Sequence, residues 1–423
     1  MIYYELGSPS HDLTSADLKA GLFEALAKLG PRKNVMAVPP DYTRFHSRAG
    51  ELTQYAFTYY GDALRDVLPA LGTHTAMSED QLASMFGEVP RDRFRVHDWR
   101  NGVATLGEIP AEEVRDLSEG AVNYAWPAQL STHITGGAHD LILSIGQVVP
   151  HEVIGMANYT KNLLIGTGGP DGINKSHYMG AAYGMERIMG RARNPVRELV
   201  NRAASRFMAD LPVLYVLTVV GLAEDGRTPT RGLFIGDDDA CFYHAADLAL
   251  QVNVNALDAP VSKAVVYLDP KEFKSTWLGN KSIYRTRLAI ADGGELIVLA
   301  PALREFGEDP EIDRLIRKYG YMHTDDVKQA VLDNEELQNN LSAAAHLIHG
   351  TSDGRFSITY CPGQLSKTEI ESVHYQYADL DSMLTRYDPA ALQDGYNTMP
   401  DGERIFFVSK PAIGLWAEQK KLA

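Results

Sequence analysis

The stretch "DLILSIGQVVPH", residues 140–151, decides the fold. It opens with a nearly unbroken apolar run, which suits a strand buried on both faces of a parallel sheet. Pro150 restricts the chain just beyond that run, and a histidine follows at once. Five other short runs read as buried strands: "NVMAVPP" (34–40), "VLYVLTVV" (213–220), "KAVVYLD" (263–269), "ELIVLAP" (295–301) and "RIFFVS" (404–409). Between them lie amphipathic stretches such as "TQYAFTYYGDALRDVLPALG" (53–72) and "DPEIDRLIRKYG" (309–320). This alternation predicts an α/β protein with two lobes, mostly parallel sheets and an active-site cleft between the lobes.

At 423 residues the chain has room for two domains. A break is expected at 245–260, where "AADLALQVNVNALDAP" gives way to a fresh strand. The lobes are then 1–250 and 251–402, with a tail of about 403–423 returning to the first. A net charge of −15 argues against nucleic acid or an anionic membrane as partner, though not against a local basic pocket. Two cysteines, Cys241 and Cys361, are too few for a disulfide framework or a thiolate cage and read as small buried residues. "MIYYELGSPSHDL" has no signal-peptide pattern, and the longest apolar runs are too short to span a bilayer. A cytoplasmic protein is expected.

Three polar clusters follow predicted strands, where open α/β sheets gather their ligands. In "PPDYTRFHSRAG" (39–50), Asp41, Thr43 and Arg44 bring a carboxylate, a hydroxyl and a guanidinium within four residues. Arginine's planar fork suits phosphate, and Asp41 is a candidate acceptor for ribose hydroxyls. The plainer reading is an Asp-capped turn with a surface arginine. In "LGTHTAMSEDQLASMFG" (71–87), Ser78 and Gln81 form a capping-box pattern, which leaves His74 on the loop before a helix. The third cluster spans 151–177 and holds His151, Lys161 and His177 around the glycine run "GTGGPDG" (166–172). A lysine in apolar surroundings loses its proton readily and becomes a nucleophile. The glycine run offers backbone amides to an anion. Ser176 or Asn174 is expected to cap a helix, placing His177 in its first turn. Taken singly, each histidine also reads as structural.

The ordered set is more specific than its members. D-x-T-R, then G-x-H, then a histidine with a lysine ten residues on and a second histidine sixteen beyond that, resembles the nickel-dependent lactate racemase superfamily. These are racemases and epimerases of 2-hydroxyacids that use a nickel-pincer nucleotide. The resemblance covers nearly the whole chain, but its motifs all lie in residues 41–177. It implies a pyridinium-3,5-bisthiocarboxylate mononucleotide carrying nickel, tethered through Lys161, with His177 as the protein ligand to the metal. Asp41, Thr43 and Arg44 would hold its ribose and phosphate, and His74 with His151 would be the acid/base pair. Its partners would be a small 2-hydroxyacid and the enzymes that synthesise the cofactor, so protein made without them would be apo.

The departures concern substrate. Thr75 and Ala76 follow His74 where the lactate enzyme has arginine and proline, and "MANYT" (156–160) replaces a glycine-rich run. In "GNKSIYRTRLAIADGGE" (279–295), Arg285 follows Tyr284 and no lysine stands at the corresponding place. Lys281, Tyr284, Arg285 and Arg287 read either as a solvated basic turn or as a clamp for a carboxylate, suited to a longer acid such as an aldonic acid. A 2-epimerase of a sugar acid, or a racemase of another 2-hydroxyacid, is therefore at least as well supported as a lactate racemase. The non-enzymatic alternative is a cofactor-binding protein that keeps the pocket but turns nothing over. A dinucleotide dehydrogenase lacks its G-x-G-x-x-G after a strand, and His151 and His177 are too far apart for an H-E-x-x-H zinc helix.

Overall fold

The computed structural model describes residues 1–223 and 227–422, and the chain is mixed α/β with mostly parallel sheets. It divides into two compact units, Met1–Ser176 with Ile188–Asn253, and His177–Arg187 with Val254–Ala423. All six runs read as strands are strands.

The first unit is built on a six-stranded sheet, ordered Ile2–Gly7, Thr230–Gly236, Val213–Val220, Leu141–Gln147, Val35–Val38 and Leu64–Val67. The last four strands run parallel to one another, and the first two complete the sheet antiparallel. Every residue of Leu141–Gln147 is buried, as a strand flanked on both sides must be. Leu141, Leu143 and Ile145 pack with Val35, Ala37, Val216 and Leu233 against Leu18, Leu22 and Leu26 of helix Ser15–Leu29. That helix opens on a reciprocal Thr14–Asp17 capping box and closes at Gly30, whose φ of 76° a side chain would resist.

The stretch 53–72 is not one helix. Helix Ala49–Tyr60 ends at Gly61, at φ 53°, and "LRDV" becomes the edge strand Leu64–Val67, parallel to Val35–Val38. A helical pattern and a short strand share that apolar periodicity, and the glycine decides between them.

The second unit carries another six-stranded sheet, ordered Gln376–Tyr377, Phe356–Pro362, Ile290–Ala300, Val261–Tyr267, Arg404–Val408 and Gly395–Thr398. Four of its five pairings are parallel. Val265, Ile297, Leu299 and Phe407 pack on one face against Leu380, Met383 and Leu384 of helix Leu380–Arg386. The tail expected on the first lobe belongs here instead. Its strands Arg404–Val408 and Leu415–Glu418 pair in parallel with Val261–Tyr267 and Val254–Leu257, which satisfies their backbone groups within this unit. Helix Pro310–Tyr319 lies where expected, capped by the Asp309 side chain and stopped by Gly320. Among the described residues no helix is long and apolar enough to cross a membrane.

Candidate active site

Three neighbouring parallel strands of the first unit end on the candidate groups: Val38 precedes Asp41, Val67 precedes His74, and Gln147 precedes His151. The first two loops stay paired beyond their strands through a parallel bridge between Pro40 and Ala70. This brings Asp41 and His74 together across 33 residues of sequence, with His74 Nδ1 2.6 Å from Asp41 Oδ2. Asp41 is buried and caps the short helical turn Tyr42–Ser47, accepting from the Thr43 amide and hydroxyl through its other oxygen. Burial pushes its carboxyl up, but the bonds from His74 and Thr43 and the Arg44 charge hold it below 3.8. Asp41 is thus ionised at neutral pH and can only accept, so His74 Nδ1 carries the hydrogen of this bond and leaves Nε2 as the ring's other nitrogen. From sequence Asp41 was expected on a ribose; here His74 and Thr43 occupy both of its oxygens.

His151 stands in the opposite tautomer. It is buried in a two-residue-stranded hairpin, Pro150–His151 against Gly155–Met156, and its Nδ1 accepts the Val153 amide at 3.1 Å. A backbone N–H can only donate, so the neutral ring bears its proton on Nε2. Glu152 Oε2 lies 3.8 Å from the same Nδ1.

Lys161 sits on helix Thr160–Leu164, which Asn162 pins to the sheet through bonds to Val38 O (2.9 Å) and Ser144 Oγ (3.0 Å). The lysine is part-exposed, and among the described residues its amine makes no hydrogen bond or ion pair. Burial lowers its pKa to about 8, helped by the charges of Arg44 and Arg197 and opposed by Glu152 and Asp41. Four groups from three separate stretches therefore bear on one amine. Arg44 is half-buried, and among the described residues its guanidinium is likewise unpaired. Two unpaired cations, the charge of one felt by the other, make a place for an anion.

Four amides of the glycine run are engaged within the protein rather than turned to an anion. The amides of Gly166, Thr167 and Gly168 donate to Lys161, Leu163 and Ile165 carbonyls, and Gly172 donates to Gln129 Oε1. His97 Nε2 bonds the Gly168 carbonyl, and Trp126 Nε1 bonds that of Gly172. The glycines serve close packing, since a Cβ on Gly168 would come within 2.1 Å of Leu164 O. The helix expected to start near His177 begins earlier, at Pro170, whose fixed φ suits a first helical position. His177 therefore lies in the interior of Pro170–Tyr183.

In the second unit the basic segment is not a solvated turn. Ser282, Ile283, Tyr284 and Arg285 are buried in and just after the one-turn helix Lys281–Tyr284. Lys281 is mostly covered, 3.7 Å from Glu272 and over the Phe273 ring. Tyr284 meets His349 edge-on. Arg287 is held by Glu186 at 2.9 Å and by Thr351 O, which makes it structural. Asn280, just before this helix, accepts from Tyr360 and Tyr375 hydroxyls in a wholly buried aromatic layer. Sequence reasoning missed Glu152, Arg197 and Asn162; the only sign of Arg197 was its place beside Val196, Leu199 and Val200 on the buried stripe of an amphipathic helix. No group of three or more His, Cys, Asp or Glu among the described residues is placed to hold a metal.

Fold and site define an α/β protein whose charged groups gather at the carboxyl ends of parallel strands. No known protein family matches the sequence, and no curated protein does. Among solved structures the chain is similar to a structural-genomics protein from Thermotoga maritima. The identity is 24% over 97% of this chain and 99% of that one, with a TM-score of 0.80. It is also similar to the lactate racemase apoprotein from Thermoanaerobacterium thermosaccharolyticum, at 16% identity over 98% of this chain and 90% of that one, TM-score 0.69. At these identities the likeness is one of fold.

Proposed function

We propose that the chain is a racemase or 2-epimerase of a 2-hydroxyacid, such as an aldonic acid, using a nickel-pincer nucleotide tethered to Lys161. The observation that carries this reading is the Lys161 amine: part-buried, without a protein partner, lowered to about 8, and within reach of the Arg44 and Asp41 charges. The residues suit such a group. Lys161 would tether it, Arg44 and Thr43 would take its phosphate, and His177 would be its single imidazole ligand. A nickel held chiefly by the sulfur of its own nucleotide needs no larger protein cluster. When bound, the nucleotide supplies a site that takes up hydride from the substrate carbon and returns it.

The chain's own part is to position the acid and move a proton. Direct deprotonation would set a carbanion beside an ionised carboxylate, whereas a planar 2-oxo acid can be approached from either face. His74 takes the hydroxyl proton on Nε2, and Asp41 stabilises the imidazolium that results. His151, neutral with its proton on Nε2, donates a hydrogen bond to the same oxygen. For His151 to serve as base in its turn, the Val153 bond must be given up. Lys281, Tyr284 and Arg285 are assigned the carboxylate and further hydroxyls of the substrate.

Intact-mass spectrometry of protein produced together with the cofactor-synthesis enzymes tests the first link. A nucleotide adduct on Lys161 with bound nickel is expected; bare Lys161 and no nickel would sink the reading. Chiral separation after incubation with a panel of 2-hydroxyacids and aldonic acids tests the second. An adduct with no inversion on any of them would leave a cofactor-binding protein without turnover.

A further inference from the structure

Arg197 has no place in that chemistry, yet its burial is unusual. The residue is 1% exposed and, among the described residues, has no carboxylate partner. A buried charge without a counter-charge is costly on its own. What surrounds the guanidinium is a turn. One terminal nitrogen donates to Asn158 O (3.2 Å) and Thr160 Oγ1 (3.1 Å), the other donates to Met156 O, and the plane lies 4.3 Å from the Phe242 ring centre. Its Nε has no hydrogen-bond partner among the described residues.

That turn is strained. Asn158 and Tyr159 both take positive φ, 65° and 60°, and Tyr159 combines this with ψ −136°, a region that a side chain strongly resists. The Tyr159 ring stacks on Phe242 at 5.1 Å and packs on Tyr215 at 4.3 Å. Two residues later the chain delivers Lys161. Arginine, aromatic rings and strained turn thus form one support behind the lysine, and the charge of Arg197 bears on its amine.

We infer that Arg197 is a positioning residue for Lys161: it clamps turn 156–160 in its strained form and keeps an unneutralised positive charge behind the amine. The clamp fixes where the amine points, and the charge favours its neutral, nucleophilic form. Arg44 acts on the amine in the same sense, and Glu152 and Asp41 act against both. The inference rests on the reading of Lys161 as the reacting amine, not on which group it receives.

Competitive acetylation of the folded apo protein, read peptide by peptide by mass spectrometry from pH 6 to 11, tests it, with exposed Lys19 as internal reference. In the unaltered protein Lys161 should reach half-maximal reactivity near pH 8. Arg197→Met should move that midpoint upward by roughly half to one pH unit. Arg197→Lys keeps the charge but not the fork, so it should hold the midpoint while lowering the plateau rate. Should Arg197→Met not fold, judged by circular dichroism, Arg197→Gln provides the same neutral comparison. Superimposable profiles for Lys161 in the unaltered and neutral variants, or a Lys161 midpoint no lower than that of Lys19, would overturn the inference. An Arg197-dependent midpoint in a protein that never acquires a nucleotide would leave the inference standing and remove the proposed function.

Discussion

Asp41 shows how much a single carboxylate sets. Its ionised form accepts from His74 Nδ1, so under the proposed function Asp41→Asn should lower turnover by about 100-fold or more with binding little changed, checked by kcat and KM separately. The same substitution has a stability signature. The folded-state carboxyl lies below 3.8, so its contribution is present above that value and is lost as pH falls through the lowered one. The stability gap between the unaltered protein and Asp41→Asn should therefore be widest near neutrality and close in acid, as followed by urea unfolding. Lys161 has the opposite sign. Its pKa falls from 10.5 to about 8 on folding, so holding the ammonium opposes folding below pH 8, and stability recovers between 8 and 10.5. Lys161→Met should raise Tm by about 2–4 °C at pH 7, with little gain left at pH 10.5. An unchanged Tm at pH 7 would remove that cost.

At the scale of elements, the hairpin carrying His151 depends on Gly155. Its φ is 75°, and a Cβ there would lie 1.8 Å from Arg191 O, a backbone atom with no room to yield. Gly155→Ala should cost about 2–4 kcal/mol in denaturant unfolding and shift the histidine signals in NMR spectra. Strands were plain in the sequence because their β-branched runs are buried and short. The edge strand "LRDV" was hidden because it continues a helical rhythm past Gly61. His177 was misplaced within its helix because Asn174 and Ser176 are good caps, yet Pro170 had already set the helical φ. The 281–285 segment looked solvated because its charges are visible in sequence, while the aromatic layer around Asn280 is assembled from residues 80 and 95 positions away. The Asp41–His74 contact was legible only as two nearby clusters, since strand pairing alone brings them together.

At the scale of the molecule, the tail is an integral part of the second unit. Strand Arg404–Val408 lies between Val261–Tyr267 and Gly395–Thr398, so its loss would open the sheet in its interior. Deleting 404–423 should abolish the second unit's cooperative unfolding, seen as loss of hydrogen-exchange protection in Val261–Tyr267. Retained protection would show that the strand is dispensable. The chain's net charge of −15 also makes the unpaired Arg44 and Lys161 stand out as a cationic spot on an acidic protein.

The first sheet carries one further consequence, concerning the order of synthesis. Strand Ile2–Gly7 leaves the ribosome well before its one partner in the sheet, Thr230–Gly236, with Ile2 opposite Gly236. At cellular elongation rates that wait is roughly 10 to 50 s, long against the microseconds in which a hairpin closes. Throughout it the opening "IYYELG" carries two tyrosines and a leucine with no strand beside them. Nascent chains halted before residue 230 should therefore bind trigger-type holding chaperones at this segment, and chains halted after residue 270 should release them.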